Sequence, residues 1–177
     1  MQEDILDIVD EKDRIVGQLS RSLMHARGLR HRAVHVIVCN ADGEIFVQKR
    51  SQSKDTWPGA WDSSCSGHVD AGEGYAAAAL RELEEELGWR PEEPLERLFK
   101  LDPCEETGME FVEVYRVYGD GPFRLNLEEI EIGEWMNAPN LLERIEYTPN
   151  RFSSAFRLIV SHLRARGLLP QPKRQAW

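Results

Sequence analysis

The sequence predicts an α/β protein in which a mixed β-sheet packs between helices. Three observations carry this. Apolar runs of strand length outnumber those of helix length, hairpin turns alternate with longer crossovers, and a helix-length segment ends at a clean glycine stop. The first elements are a short hairpin, Ile5–Val9 and Ile15–Leu19, around Asp10–Arg14, and a helical turn at Arg21–His25. Ala33–Cys39 (AVHVIVC) is β-branched and almost wholly apolar, the pattern of a central strand buried on both faces. Asn40–Gly43 supplies turn chemistry, and Glu44–Lys49 returns as the next strand. The stretch RSQSKDTWPGAWDSS reads as a loop, with Trp57 and Trp61 packing around Pro58-Gly59. Gly74–Leu87 reads as a helix stopped by Gly88, with Pro91 beyond. Strands follow at Leu95–Leu101, Phe111–Tyr118 and Glu129–Met136, then helices at Ala138–Arg144 and Pro149–Arg166.

The chain has 177 residues, enough for one domain with a sizeable core. Its 22 Lys+Arg against 31 Asp+Glu leave a net charge of −9, which argues against nucleic-acid polymers and anionic membranes as partners. Three scattered cysteines, Cys39, Cys65 and Cys104, without a CxxC pair, fit reduced thiols in a cytoplasmic protein. Cys39 reads as a core residue. The acidic start MQEDILDIVDEKDR does not resemble a targeting peptide, no apolar run has the ~20 residues of a membrane span, and no repeat is evident.

The chemistry concentrates in GHVDAGEGYAAAALRELEEELGW, residues 67 to 89. At 100° per residue Glu82, Glu85 and Glu86 share a helix face, Ala76, Leu80, Leu83 and Leu87 form an apolar stripe, and Glu84 points to solvent. Like charges at i, i+4 cost roughly 0.2–0.5 kcal/mol per pair. Negative charge in a last helical turn opposes the macrodipole by a further ~0.3–1 kcal/mol. Arg81 relieves part of this but cannot neutralise three carboxylates. On the helix alone two readings stand: a solvated acidic face, or a site for a hard, oxygen-preferring cation such as Mg²⁺ or Mn²⁺.

Gly67, Glu73, Arg81, Glu82, Leu83, Glu85, Glu86 and Gly88 fall at the spacings of Gly-x5-Glu-x7-Arg-Glu-U-x-Glu-Glu-x-Gly-U, with U aliphatic, and only Trp89 departs. The stretch resembles the Nudix box. The resemblance implies a loop–helix–loop on a Nudix-type α/β/α sandwich that hydrolyses a diphosphate linkage in a nucleoside diphosphate-type or related small molecule. It implies divalent metal (Mg²⁺ or Mn²⁺) on Glu82, Glu85 and Glu86, joined by the main-chain carbonyl of Gly67. Arg81 would brace the glutamates, Glu73 would support them, and Glu85 or Glu86 would be the general base. A further carboxylate often precedes a late Trp; Glu129 and Glu131 stand before Trp135, and Glu129 is the preferred match. In domain terms, residues 1–170 are expected to form a single Nudix domain, with 1–30 an N-terminal extension and 171–177 a frayed tail.

About residues 5 to 90 also resemble the isopentenyl-diphosphate isomerase branch of the superfamily. The shared elements are His31, the basic pair Lys49-Arg50, Lys54, the WPGAW turn and Gly67-His68, with Glu113 matching an isomerase carboxylate. This branch would imply a histidine-rich metal site and proton transfer at carbon. However, Ser66 stands where the isomerases keep their nucleophilic cysteine, Ala155 where they keep a tryptophan, and the intact Arg-Glu-U-x-Glu-Glu favours hydrolysis. A non-catalytic binding domain is a third reading, which the complete box disfavours. Lys49, Arg50 and Lys54 are candidates for phosphate contact or for solvated strand ends. His31 and His68 stand between metal or phosphate contact and structural hydrogen bonding, whereas His25 and His35 read as structural.

Overall fold

The computed structural model describes residues 3–172. The hairpin forms as expected from β1 (Ile5–Val9) and β2 (Ile15–Ser20), followed by the short α1 (Arg21–Ala26). β3 (His31–Cys39) is the spine of the main sheet. Val34, Val36 and Val38 face one apolar layer while Ala33, Ile37 and Cys39 face the other, so its apolar run is buried on both sides. β8 (Glu110–Tyr118) lies parallel to β3, and β7 (Glu96–Leu101) runs antiparallel to β8 at the edge.

β4 (Glu44–Arg50) meets β3 at a single register pair, Cys39↔Ile45, and then diverges. β6 (Cys65–His68) takes its place along β3, while β4 pairs with β5 (Trp61–Asp62) and β9 (Ile130–Asn137). Ser64 spans the fork, accepting from the Val38 amide at 2.7 Å and donating to the Phe46 carbonyl at 2.5 Å. Beyond that pair β3 and β4 share no further register pair, and the two branches are bridged by side chains.

Helices cover both faces, as the α/β/α prediction requires. On one side α2 (Tyr75–Leu87) buries Ala78, Ala79, Leu83 and Leu87 against the valines of β3. On the other, α3 (Ala138–Tyr147) and α4 (Ser154–Ala165) bury Leu141, Phe156, Ile159, Val160 and Leu163. Gly88 stops α2 in the left-handed region at φ 57°, where its amide and that of Trp89 return to the carbonyls of Glu84 and Leu83.

Three expectations need correction. The apolar stripe of α2 runs through Ala79, Leu83 and Leu87, while Ala76 and Leu80 are exposed. That rotation turns Glu82 and Glu86 inward. The loop before residue 65 contains β5, whose two residues are too few to show a period. The single helix expected over Pro149–Arg166 is a 3₁₀ turn at Pro149–Arg151 and then α4, separated where Phe152 is extended and Ser153 caps the Phe156 amide at 3.2 Å. Of the expected frayed tail, Gln171 lies against Gly43, and Lys173–Trp177 fall outside the described residues.

Phe152 and Phe156 are both fully buried in the layer under α4. Phe152→Ala or Phe156→Ala should each lower unfolding free energy by about 3–5 kcal/mol. A urea midpoint unchanged from wild type for both variants would contradict this packing.

Candidate active site

The site sits where the inner face of α2 meets the fork between β4 and β6. Gly67 is the point of closest approach. A Cβ built on it would lie 2.0 Å from Glu82 Oε1, so any other residue would displace the carboxylate. Arg81 organises the rest. Its Nε donates to Glu73 Oε1 at 3.0 Å, and one terminal nitrogen donates to Glu73 Oε2 and to the His68 carbonyl, both at 2.9 Å. The other donates to Glu82 at 2.8 Å and to Glu85 at 3.1 Å. Glu73 therefore receives a bidentate fork from Arg81, and it also accepts from the Asp70 amide at 3.1 Å.

The three helix glutamates are not equivalent. Glu82 and Glu86 are buried and Glu85 is exposed. Glu86 accepts from Gln48 Nε2 at 2.7 Å, and this amide also donates to the Ser64 carbonyl at 3.3 Å. Burial, and then the charge of Glu86, push the Glu82 carboxyl up to about 8. Burial also pushes Glu86 up to about 7, although Gln48 and Lys54 oppose it. Two hard oxygen donors that repel one another and resist ionisation fit a divalent cation, which would supply the charge they lack. Glu84 points away and pairs with Arg90 at 2.5 Å, as expected of the solvated member.

At the mouth, Lys54 forms an ion pair with Glu129. Burial pulls Lys54 down, while the nearby charge of Glu86 pulls it up. The other candidates are engaged elsewhere. Lys49 pairs with Glu131 at 2.8 Å, Arg50 with Asp62 at 3.2 Å and with Thr56, and Glu113 with Tyr115 at 2.5 Å and Arg97 at 3.1 Å. Trp61 packs in the core, but Trp57 remains partly exposed.

A family model for the NUDIX domain matches residues 29–156. The chain belongs to the Nudix hydrolase family. It is 40% identical over 149 residues to an uncharacterized Nudix hydrolase of Yersinia pestis, covering 82% of this chain and 80% of that one. A Nudix hydrolase of Deinococcus radiodurans is 35% identical over 152 residues, covering 82% of this chain and 85% of its own length. A crystal structure of a Deinococcus radiodurans protein superposes with a TM-score of 0.77 at 31% identity, covering 92% of this chain and 98% of that one. The first two relatives carry the hydrolase name, not the isomerase name. Nudix hydrolases typically use divalent metals, and the domain implies a small-molecule diphosphate substrate. Among the described residues, no helix is long and apolar enough to cross a membrane.

The histidines fall in two places. His35 is structural as expected, buried with Nδ1 2.7 Å from the Ser63 hydroxyl. His25, read from sequence as structural, lies beside His31, His68 and Glu110 with its Nε2 3.1 Å from His68 Nε2. Burial and the charges of His68 and His31 pull His25 down to about 4. Sequence reasoning also passed over Gln48. Its one signal was a polar residue at an inward position of a strand that is otherwise apolar there.

Glu82 and Glu86 both lie above the ordinary value of 4.5, so these two groups bind more protons in the metal-free native protein than in the unfolded chain between about pH 4.5 and pH 8. Their contribution to stability is therefore lost as pH rises through that window. His25, lowered from 6.5, acts in the opposite sense below pH 6.5, so the comparison must be with Glu86→Gln. In thermal melts without metal, wild type should lose stability relative to Glu86→Gln between pH 5 and pH 8, and Mg²⁺ should narrow the difference. A gap that does not change with pH would contradict the raised values.

Proposed function

We propose that this Nudix protein hydrolyses a small-molecule diphosphate at the inner face of α2, with Mg²⁺ or Mn²⁺ held by Glu82, Glu85 and Glu86. The Gly67 carbonyl and Glu129 would complete the set, and residues 1–170 would act as one unit. The observation that carries this reading is the pair of buried carboxylates on one helix face, Glu82 held by Arg81 and Glu86 held by Gln48. A solvated acidic face would need neither the burial nor the brace.

When bound, the divalent cation neutralises diphosphate oxygens and acidifies the attacking water. The chain's own groups do the positioning. Arg81 fixes Glu82 and Glu85 to Glu73 and to β6, and Gln48 fixes Glu86. Glu85 or Glu86 would accept the water proton. Lys54, paired with Glu129, would exchange that partner for a substrate phosphate. Lys49, Arg50 and Glu113 contribute less to this reading because each has its own partner elsewhere.

The isomerase-like alternative requires a proton-transferring thiol in the strand before Gly67-His68. Cys65 is fully buried in the apolar layer under α2, and burial pushes its thiol well above its ordinary value. Such a thiol is inert at neutral pH.

Purified protein with Mg²⁺ or Mn²⁺ should convert members of a diphosphate panel to two phosphorylated products, or to a monophosphate and orthophosphate, as followed by phosphorus NMR. Glu86→Gln and Glu85→Gln should lower kcat by ~10²–10⁴ with the fold retained. Isomerised isopentenyl diphosphate without phosphorus release, or binding of metal and diphosphates without turnover, would overturn the proposal. So would full activity in both variants.

A further inference from the structure

We infer that Asp7, in the N-terminal hairpin, is a positioning residue for the box. It fixes the loop of residues 70–73 so that Glu73 can hold Arg81 against Glu82 and Glu85. The box spacing does not call for the extension, yet β1 lies against the loop that joins Gly67 to α2. Leu6 forms a bridge with Asp70, the Ala71 amide donates to the Ile5 carbonyl at 2.9 Å, and the Gly72 amide donates to Asp7 Oδ2 at 3.0 Å.

The geometry of the loop explains why it needs an outside partner. The Glu73 amide donates to the Asp70 carbonyl at 2.9 Å, and Gly72 sits at φ 79°. A four-residue turn with positive φ only at its third residue is type II. Its own bond joins the end residues and leaves the two central amides, those of Ala71 and Gly72, to other acceptors. β1 takes both. Within the same turn the Asp70 amide donates to Glu73 Oε2 at 3.1 Å, so a turn held in place also holds that carboxylate. Glu73 then receives the fork from Arg81.

Strand packing alone does not account for Asp7. It is 2% exposed, and its hydrogen bonds come from uncharged donors, the Gly72 amide and Gln18 Nε2, each at 3.0 Å. Arg32 feels its charge but is committed to Asp13. A buried carboxylate contacted by neutral donors costs stability that an apolar residue would not. What the charge achieves is a strong, directional bond to one main-chain amide of the box. The hairpin turn grips the other flank of Glu73. There Asp13 accepts from the hydroxyl of Tyr75, the first residue of α2, at 2.9 Å and from Arg32 Nε at 2.6 Å. Glu73 is thus bracketed by hairpin contacts at residues 71–72 and 75.

Asp7 acts in this way only if the box binds metal as proposed above, and the measurements separate the two claims. Mg²⁺ affinity is read by calorimetry on the full chain, without turnover. Asp7→Ala should weaken Mg²⁺ about 10–100-fold, the usual effect of removing a group that orients a metal ligand. Asp7→Asn, which keeps an uncharged acceptor for Gly72, should lose less. In a Glu73→Gln background Asp7→Ala should weaken Mg²⁺ no further, because the effect runs through Glu73. Coupling is reciprocal, so in wild type Mg²⁺ should slow hydrogen exchange of the Ala71 and Gly72 amides by a similar factor, which decides the matter even if Asp7→Ala does not fold. No Mg²⁺ uptake by wild type would overturn the box reading and this role with it. With wild-type uptake intact, three results would overturn the role of Asp7 alone: undiminished affinity in Asp7→Ala, a full further loss in the Glu73→Gln background, or exchange at residues 71 and 72 indifferent to Mg²⁺.

Discussion

The Arg81 guanidinium holds Glu73, Glu82, Glu85 and the His68 carbonyl in one plane of contacts, and the rest of the site depends on that arrangement. Two carboxylates buried side by side on the last turns of a helix oppose the macrodipole, repel each other and lose hydration. One arginine removes part of that cost and cannot remove all of it. The residual shows as carboxyls that prefer to stay protonated near neutral pH. A site of this kind is poised, since the state that folds most easily without metal is not the state that binds it.

The sheet creates the space for that site. β3 and β4 part after one register pair, and Ser64 ties the two branches at the fork. Into the gap come Gln48 from β4 and Glu86 from α2, while Gly67 of β6 lets the Glu82 carboxylate lie directly on the strand. A side chain at residue 67 would push Glu82 off, so the glycine is a steric requirement of the site and not of a turn. The same strand continues into His68, which faces the histidine cluster. One short β6 thus serves two polar centres of different chemistry.

Much of this was legible in the sequence, for physical reasons that differ by element. β3 and β8 were readable because burial on both faces leaves an uninterrupted apolar run. α2 was readable because Gly88 must adopt a left-handed conformation to stop it. The box was readable because its chemistry fixes spacing along one continuous segment. The inward turn of Glu82 and Glu86 was not, because Leu80 extends an apolar stripe that the fold leaves at the surface. β5 has two residues and no period. The cluster of His25, His31, His68 and Glu110 draws on four elements and exists only in three dimensions. Lys49 and Arg50 looked alike as a basic pair at a strand end. Alternation along β4 sends one to Glu131 and the other to Asp62, away from the glutamates of α2.

The central claim is that Glu82 and Glu86 are a protonated, buried pair that a hard cation ionises. Proton release on Mg²⁺ binding tests it most directly, by calorimetric titration near pH 7 in buffers of different ionisation enthalpy. With carboxyls at about 8 and about 7, between one and two protons, about 1.4, should be released per chain saturated, and Glu86→Gln should lower that number. A binding enthalpy independent of buffer, with Mg²⁺ bound and no proton released, would contradict the account.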